Sequence, residues 1–213
     1  MQNKQPYKIL MIGPQGSGKG TQSFRISQYL GIPVISTGEM LRNELKNSTA
    51  IGKKVESYVN AGFLVPDSIV NELVKKRISD QDAVSGYILD GYPRDQEQLE
   101  YYLTIDSPTK AIFIDLADED AYKRLEGRRV CSSCKTNYNV LLMPTKKEGV
   151  CDACLGKLES RNDDQIKIMK NRLKVFHEKT KPMIDVVKKL QILIRINGLQ
   201  SPDKVFEDII KNI

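Results

Sequence analysis

No apolar run in the sequence approaches the length needed to cross a bilayer. The longest near the start, residues 9–12, is too short for the core of an export signal, and Lys4 and Lys8 precede it. Secretion and membrane insertion are therefore not expected, and a cytoplasmic protein is. Repeats and low-complexity linkers are missing as well, which favours insertions within one domain over domains in series. The chain has a single histidine, His177, in a helical stretch beside Glu178 and Lys179, where a surface position is the expectation. Histidine-based nucleophilic chemistry is excluded on that count. Cysteine is absent everywhere except one 24-residue window, which holds all four.

What is present suits a folded domain. Of 213 residues, 40% are hydrophobic, enough to build one sizeable core and too many for a disordered chain. Lysine and arginine number 33 against 27 acidic residues, a formal charge of +6. That excess suits nucleic acid, a membrane surface or small anionic substrates. The placement of the charges has to decide among them.

Short β-branched runs alternate with helical periods, the pattern of an α/β sheet with mostly parallel strands. Strand candidates are 8–12, 32–35, 87–90, 111–116 and 191–196. Helical segments are expected over 18–30, 38–60, 67–78, 96–103, 163–180 and 182–190, with another after the fourth strand that ends at Arg124, Arg128 and Arg129. Gly31 stands where a helix commonly closes, and Asp67 is expected to cap the helix it opens. A last helix starts at Ser201-Pro202-Asp203, serine as cap and proline in the first turn. From 130 to about 160 the pattern breaks into cysteines, turns and short strands, and reads as an inserted module.

Gly13-Pro14-Gln15-Gly16-Ser17-Gly18-Lys19 follows the first strand and opens a helix, the context a phosphate-binding loop requires. Its glycines let backbone N–H groups face an anion at a positive helix terminus, and Lys19 adds a mobile charge for β- and γ-phosphates. The alternative is a glycine-rich turn with an exposed lysine. The general motif puts Ser or Thr directly after the lysine as a magnesium ligand. Here Gly20 takes that place and the hydroxyl follows at Thr21.

Cys131, Cys134, Cys151 and Cys154 form two C-x2-C knuckles separated by sixteen residues, a zinc-ribbon signature. Four thiolates would close a tetrahedron and leave no open position, so the metal would be structural. The alternative is free or redox-active thiols. Glycine commonly follows the second cysteine of such a knuckle. Lys135 and Leu155 occupy those positions here.

Gly18-Lys19-Gly20-Thr21-Gln22 resembles the adenylate kinases, and the likeness runs along essentially the whole chain. Ser36-Thr37-Gly38-Glu39-Met40-Leu41-Arg42 is similar to the segment that contacts AMP. Gly62-Phe63-Leu64-Val65-Pro66-Asp67 resembles the end of the family's nucleoside-monophosphate insert. Leu89-Asp90-Gly91-Tyr92-Pro93-Arg94, with Gln98 beyond it, matches the family signature, and Gly127-Arg128-Arg129 and Arg161-Asn162-Asp163-Asp164 flank the lid. The resemblance implies a P-loop-type parallel five-stranded sheet flanked by helices, with a helical insert and a small zinc-ribbon-like β lid. The core would comprise 1–35, 66–126 and 165–213, the monophosphate-binding insert 36–65, and the zinc-binding lid 127–164.

The implied activity is magnesium-dependent phosphoryl transfer from ATP to AMP, giving two ADP. Lys19, Arg128, Arg161 and Arg172 would surround the phosphoryl in flight, and Arg42 and Arg94 would hold the AMP phosphate. Thr37 and Gln98 would read adenine beside the backbone of Phe63, Leu64 and Val65, and Gly91, Tyr92 and Pro93 would also bind the substrate. Gly16, Ser17, Gly18, Gly20, Thr21, Arg124, Arg128 and Gln200 would bind ATP, with Asn137 and Tyr138 at its base. Tyr138 is alternatively lid core. Asp90 ends an apolar strand, as a magnesium-directed acid would, and is alternatively a cap or an arginine partner. Asp163 and Asp164 would be catalytic partners or ion pairs that close the lid. Mg2+ and a structural Zn2+ are the implied ions, ATP, AMP and ADP the ligands, and a monomer the implied state. Gln15 stands where the family usually has proline.

Two rivals share some of these features. One is a kinase for another monophosphate or for a GTP donor. The other is a basic zinc-ribbon nucleic-acid-binding protein with a P-loop domain. The ribbon has Tyr138 as its only aromatic residue, which speaks against the second.

Overall fold

The computed structural model describes residues 6–160 and 164–213. In chain order the first half contains β1 (Tyr7–Ile12), α1 (Lys19–Leu30), β2 (Val34–Ser36), α2 (Thr37–Lys46), α3 (Ala50–Ala61), α4 (Asp67–Ile78), β3 (Gly86–Asp90) and α5 (Gln96–Ile105). The second half contains β4 (Lys110–Asp115), α6 (Asp118–Glu126), β5 (Arg128–Cys131), β6 (Asn137–Asn139), β7 (Leu158–Glu159), α7 (Ile166–Val175), α8 (Lys181–Lys189), β8 (Leu193–Asn197) and α9 (Pro202–Ile210).

Five strands form one parallel sheet in the order β2-β3-β1-β4-β8. Strands covered on both faces should be apolar without alternation, as β1, β3 and β4 are over most of their length, while β8 at the edge leaves Arg195 and Asn197 exposed. Ile9 and Met11 of β1 pack into one core cluster with Ile88 and Ile112, while Leu10 and Ile12 pack into the other with Leu89 and Phe113. Ile9, Leu10, Ile88, Leu89, Ile112 and Ile114 have no solvent exposure at all. Each contributes about 1.5–3 kcal/mol relative to an exposed position. Parallel pairing puts every strand's carboxyl end at one edge, where an open α/β sheet binds ligands. Gly13, Ser36 and Asp90 emerge together there, with Ser36 and Met11 both in register with Asp90.

The polar stretch after β2 is two helices rather than one. Ser36 caps α2 and Thr49 caps α3, its hydroxyl accepting from the Gly52 N–H at 3.0 Å. The helices cross so closely that a Cβ on Gly52 would stand 2.2 Å from the Glu44 carbonyl oxygen. Asp67 opens α4 without capping it. Pro66 is the cap residue and makes no side-chain bond, while the Asp67 carboxylate accepts from Gln98 Nε2 at 2.6 Å.

The arginine cluster is divided between two elements. Arg124 lies in the last turn of α6, and beyond Gly127 the chain turns into β5, which carries Arg128 and Arg129. β5 is the centre of a separate antiparallel sheet, β6-β5-β7, inserted between α6 and α7. The two later helical periods are continuous. A π-turn over Phe176–Thr180 joins α7 to α8, and Lys181 N–H reaches back five residues to the Phe176 carbonyl. Pro182, which has no N–H to give, follows that widened turn. No helix among the described residues is long and apolar enough to cross a membrane.

Candidate functional site

The carboxyl edge of the sheet, the α2–α3 pair and the β5-centred lid enclose a cavity of about 920 Å³. Gly13, Gly16 and Gly18 adopt φ values of 152°, 85° and 97°, a backbone region costly for any side chain. Space forbids one as well: a Cβ would come within 2.6 Å of the Ile114 carbonyl oxygen at Gly13, and 2.8 Å of the Ala121 oxygen at Gly16. The loop therefore delivers its backbone amides to the start of α1, whose cap, Gly18, adds no side-chain bond. Lys19 Nζ bonds the carbonyls of Gly13 at 2.7 Å and Pro14 at 2.8 Å. Withdrawal from water pushes its pKa down to about 8. Asp90 opposes that shift, and the guanidiniums of Arg94, Arg128 and Arg172 reinforce it. Guanidiniums from the β3–α5 turn, β5 and α7, and the Asp90 carboxylate, thus all act on the Lys19 ammonium at the start of α1.

Arg94 and Arg128 are held by their surroundings. Arg94 donates from Nε to the Gly91 carbonyl at 2.8 Å, its N–H is taken by Gln98 Oε1 at 2.8 Å, and its carbonyl accepts from the Thr180 hydroxyl at 2.6 Å. Arg128 forks onto Asp164, Nε to Oδ2 at 2.7 Å and Nη2 to Oδ1. The expected lid ion pair is thus present at Asp164. Asp163 and Arg161 lie outside the described residues. Arg42 pairs with Glu39 at 2.7 Å, and Arg124 donates to the Gly198 carbonyl at 2.7 Å.

The remaining predicted residues divide clearly. Gly16, Ser17, Gly18, Gly20, Thr21, Thr37, Phe63, Leu64, Val65, Gly91, Gln98, Asn137, Tyr138 and Gln200 all line the cavity. Tyr92 and Pro93 do not. The Tyr92 ring is buried in the core and its hydroxyl donates to Asn71 Oδ1 at 2.7 Å, so the turn serves by placing Arg94. Gln98 is also buried, with one bond from each end of its carboxamide already made within the protein. Tyr138 does two things: it lines the cavity, and its hydroxyl stands 3.3 Å from Cys151 Sγ and accepts from the Asp152 N–H. His177 lies on the π-turn, half exposed, with Nε2 at 2.9 Å from Asp118. Two supports went unread in the sequence, Thr180 behind Arg94 and Asp67 behind Gln98. Thr180 belongs to no motif, and Asp67, although it ends the Gly62–Asp67 motif, carries no local sign of its bond to Gln98.

The cysteine knuckles converge. The four Sγ atoms lie within 4.8 Å of one another, and none is in a disulfide. Cys131 is 3.4 Å from Cys154 and Cys134 is 3.5 Å from Cys151. Thiolates about 2.3 Å from a tetrahedral zinc stand roughly 3.8 Å apart, so the donor set and spacing fit that ion. In each knuckle the residue after the second cysteine bonds back to the first, Lys135 to Cys131 and Leu155 to Cys151. Both residues sit at φ 62°, the left-handed region that glycine enters freely. Replacing both by glycine is expected to stabilise the lid by about 1 kcal/mol per site. The loss of the Lys135 Nζ bond to Ser132 offsets a little of that. Thermal unfolding and proteolysis of the lid check it, and an unchanged midpoint with unchanged cleavage would refute it.

A glycine-rich phosphate loop under a parallel sheet, ringed by arginines and covered by a lid, defines the class: a P-loop nucleotide-binding protein. Comparison with known proteins narrows this. The profile of the adenylate kinase family matches residues 11–192. An adenylate kinase of Lachnospira eligens is 42% identical over 209 residues, covering 96% of this chain and 98% of its own. One of Carboxydothermus hydrogenoformans is 43% identical over 210 residues, 95% and 97% of the two chains. One of Methanothrix thermoacetophila is 41% identical over 208 residues, 95% and 96%. The chain belongs to the adenylate kinase family, and it is a phosphotransferase.

Proposed function

We propose that this cavity seats ATP over the loop and AMP against the helical insert, and that the γ-phosphoryl of ATP passes to AMP to give two ADP. One observation carries the reading: Lys19, Arg94, Arg128 and Arg172 converge on one cavity from four separate elements, where burial first, and then the neighbouring guanidiniums, lower the lysine pKa. Phosphoryl transfer needs little covalent help from a protein. It needs two phosphate groups held in line and their charge neutralised.

The roles follow from position. Lys19, Arg128 and Arg172, with Arg161 by resemblance, neutralise charge on the phosphoryl as an oxygen of the AMP phosphate attacks it and the bond to the ADP oxygen breaks. Arg42 and Arg94 hold the attacking phosphate, as planar forks suited to its oxygens. Thr37 has given its hydroxyl hydrogen to the Gly91 carbonyl at 2.7 Å, which leaves its oxygen to accept from an adenine amine. Gln98 retains one N–H and one lone pair for the same base, and Phe63, Leu64 and Val65 supply apolar contact. Arg124, Asn137, Tyr138 and Gln200 flank the ATP base. Asp90 and Thr21 would hold Mg2+, Asp90 through water, and the ion would supply positive charge beside the transferring phosphates. Cys131, Cys134, Cys151 and Cys154 would hold a structural Zn2+. Closure of the lid excludes water that would otherwise intercept the phosphoryl. We place the protein in the cytoplasm, as a monomer without a nucleic-acid or membrane partner, with its cluster of Lys19 and arginines turned inward on a nucleotide.

A coupled assay for ADP from ATP and AMP tests this, with CMP, UMP and GTP run in parallel. Turnover of another monophosphate, or with GTP, in the absence of the ATP–AMP reaction would replace the substrate assignment. The same assay carries a pH prediction. A Lys19 pKa near 8 means the free enzyme loses this charge as pH rises, so kcat/KM for ATP falls above pH 8. At pH 9 the loss reaches about tenfold for a single deprotonation. Bound phosphates raise the lysine pKa, so kcat stays level to higher pH. A flat kcat/KM from pH 7 to 9 would sink the prediction.

A further inference from the structure

Gln15 lies at the crown of the phosphate loop, opposite two guanidiniums that can only donate. The atom it turns toward them is therefore its carbonyl oxygen, which accepts from Arg128 Nη2 at 3.3 Å and from Arg172 Nη1 at 3.2 Å. One oxygen thus joins a lid strand, β5, to a core helix, α7, across the mouth of the cavity.

We propose that Gln15 is a positioning residue whose carboxamide oxygen holds Arg128 and Arg172 together where ATP phosphate oxygens bind. The proposal rests on the functional reading above. Like charges on separate elements drift apart unless an acceptor lies between them. Asp164 already fixes Arg128 from its far side through Nε and Nη2. The second Nη2 hydrogen reaches Gln15, and the second lone pair of the same oxygen reaches Arg172. The residue type suits the task. A neutral amide oxygen is strong enough to gather the two arginines, and weaker than a phosphate oxygen, so it yields them when ATP arrives. A carboxylate of the same length would yield them less readily.

Two nearly isosteric variants test this. Gln15→Met keeps the shape and removes the acceptor. Gln15→Glu keeps the shape and makes the acceptor too strong. Gln15→Met is expected to broaden or shift the Arg172 Nε–H signal in NMR spectra of nucleotide-free protein. It should also lower kcat/KM for ATP about three- to tenfold, mostly through kcat, a fraction of what a bond to a charged group is worth, because the residue acts on ATP only through the arginines. Gln15→Glu is expected to sharpen that signal and raise KM for ATP about tenfold, with kcat retained, because the carboxylate competes with phosphate for both arginines. A residue that merely fills space would give a silent Met variant, or Glu and Met variants that behave alike, and either result overturns the proposal. The NMR comparison needs no nucleotide, and wild-type turnover of ATP with AMP is scored separately. Failure of the functional reading is therefore distinguishable from failure of this one.

Discussion

Alanine at position 94 is expected to lower kcat/KM for AMP by about a thousandfold, with the thermal midpoint nearly unchanged. A guanidinium gripping phosphate makes two charge-assisted hydrogen bonds of about 1.5–3 kcal/mol each. Losing both costs about 3–6 kcal/mol, or roughly 10²–10⁴ in rate. The fold should tolerate the change, because the backbone of residue 94 remains tied. Its N–H still meets Gln98 Oε1 and its carbonyl still meets Thr180, both independent of the side chain. Lysine at 94 should recover only part of the loss, since it restores charge without the Nε bond to the Gly91 carbonyl. Steady-state kinetics with AMP varied, beside thermal unfolding, decides the matter. A loss under tenfold would mean that Arg94 does not grip the acceptor phosphate.

The second large effect concerns the lid. Replacing Cys131 and Cys134 together by serine is expected to abolish one bound zinc per chain and to lower kcat/KM for ATP at least about a hundredfold, while ligand-free affinity for AMP survives. Structural zinc commonly supplies about 10–16 kcal/mol of apparent binding energy to a small module. This module has little else. Its three strands have four, three and two residues, and Cys131 and Cys151 are themselves among its few fully buried side chains. Arg128 begins the central strand and Asn137 begins its partner, so an unfolded lid withdraws both from the cavity. Metal analysis, ATP kinetics and AMP titration of the variant separate the outcomes. Full activity without zinc would show that the cysteines do not fold the lid.

The parts legible in the sequence share a physical trait: their geometry is local. The phosphate loop demands glycines within a few residues of each other, and the knuckles demand cysteines three apart, so both could be read without knowing the fold. Apolar strands buried on both faces are similarly plain, and the parallel five-stranded sheet was recoverable from them. What stayed hidden was set by contact between distant segments. Tyr92 belongs to a recognisable signature, yet its ring turns into the core because Asn71, on α4, waits for the hydroxyl. Asp67 looked like a helix cap, since nothing near it announces Gln98 thirty-one positions on. The left-handed backbone at Lys135 and Leu155 was foreshadowed only by the glycines those positions lack. Gln15 was visible as a departure in the loop, but the arginines it faces lie more than a hundred residues away.

The π-turn between α7 and α8 also works as a phase shifter. Arg172 lines the cavity and Met183 is buried in the sheet's core, and eleven positions separate them. At 100° per residue, an unbroken α-helix would bring those two side chains to within roughly 20° of the same face. A helix so wound could not offer a cation to the nucleotide and a thioether to the core in two directions. One surplus residue in the turn offsets the faces by about 100°. The single rod from α7 to α8 can then address two different neighbours.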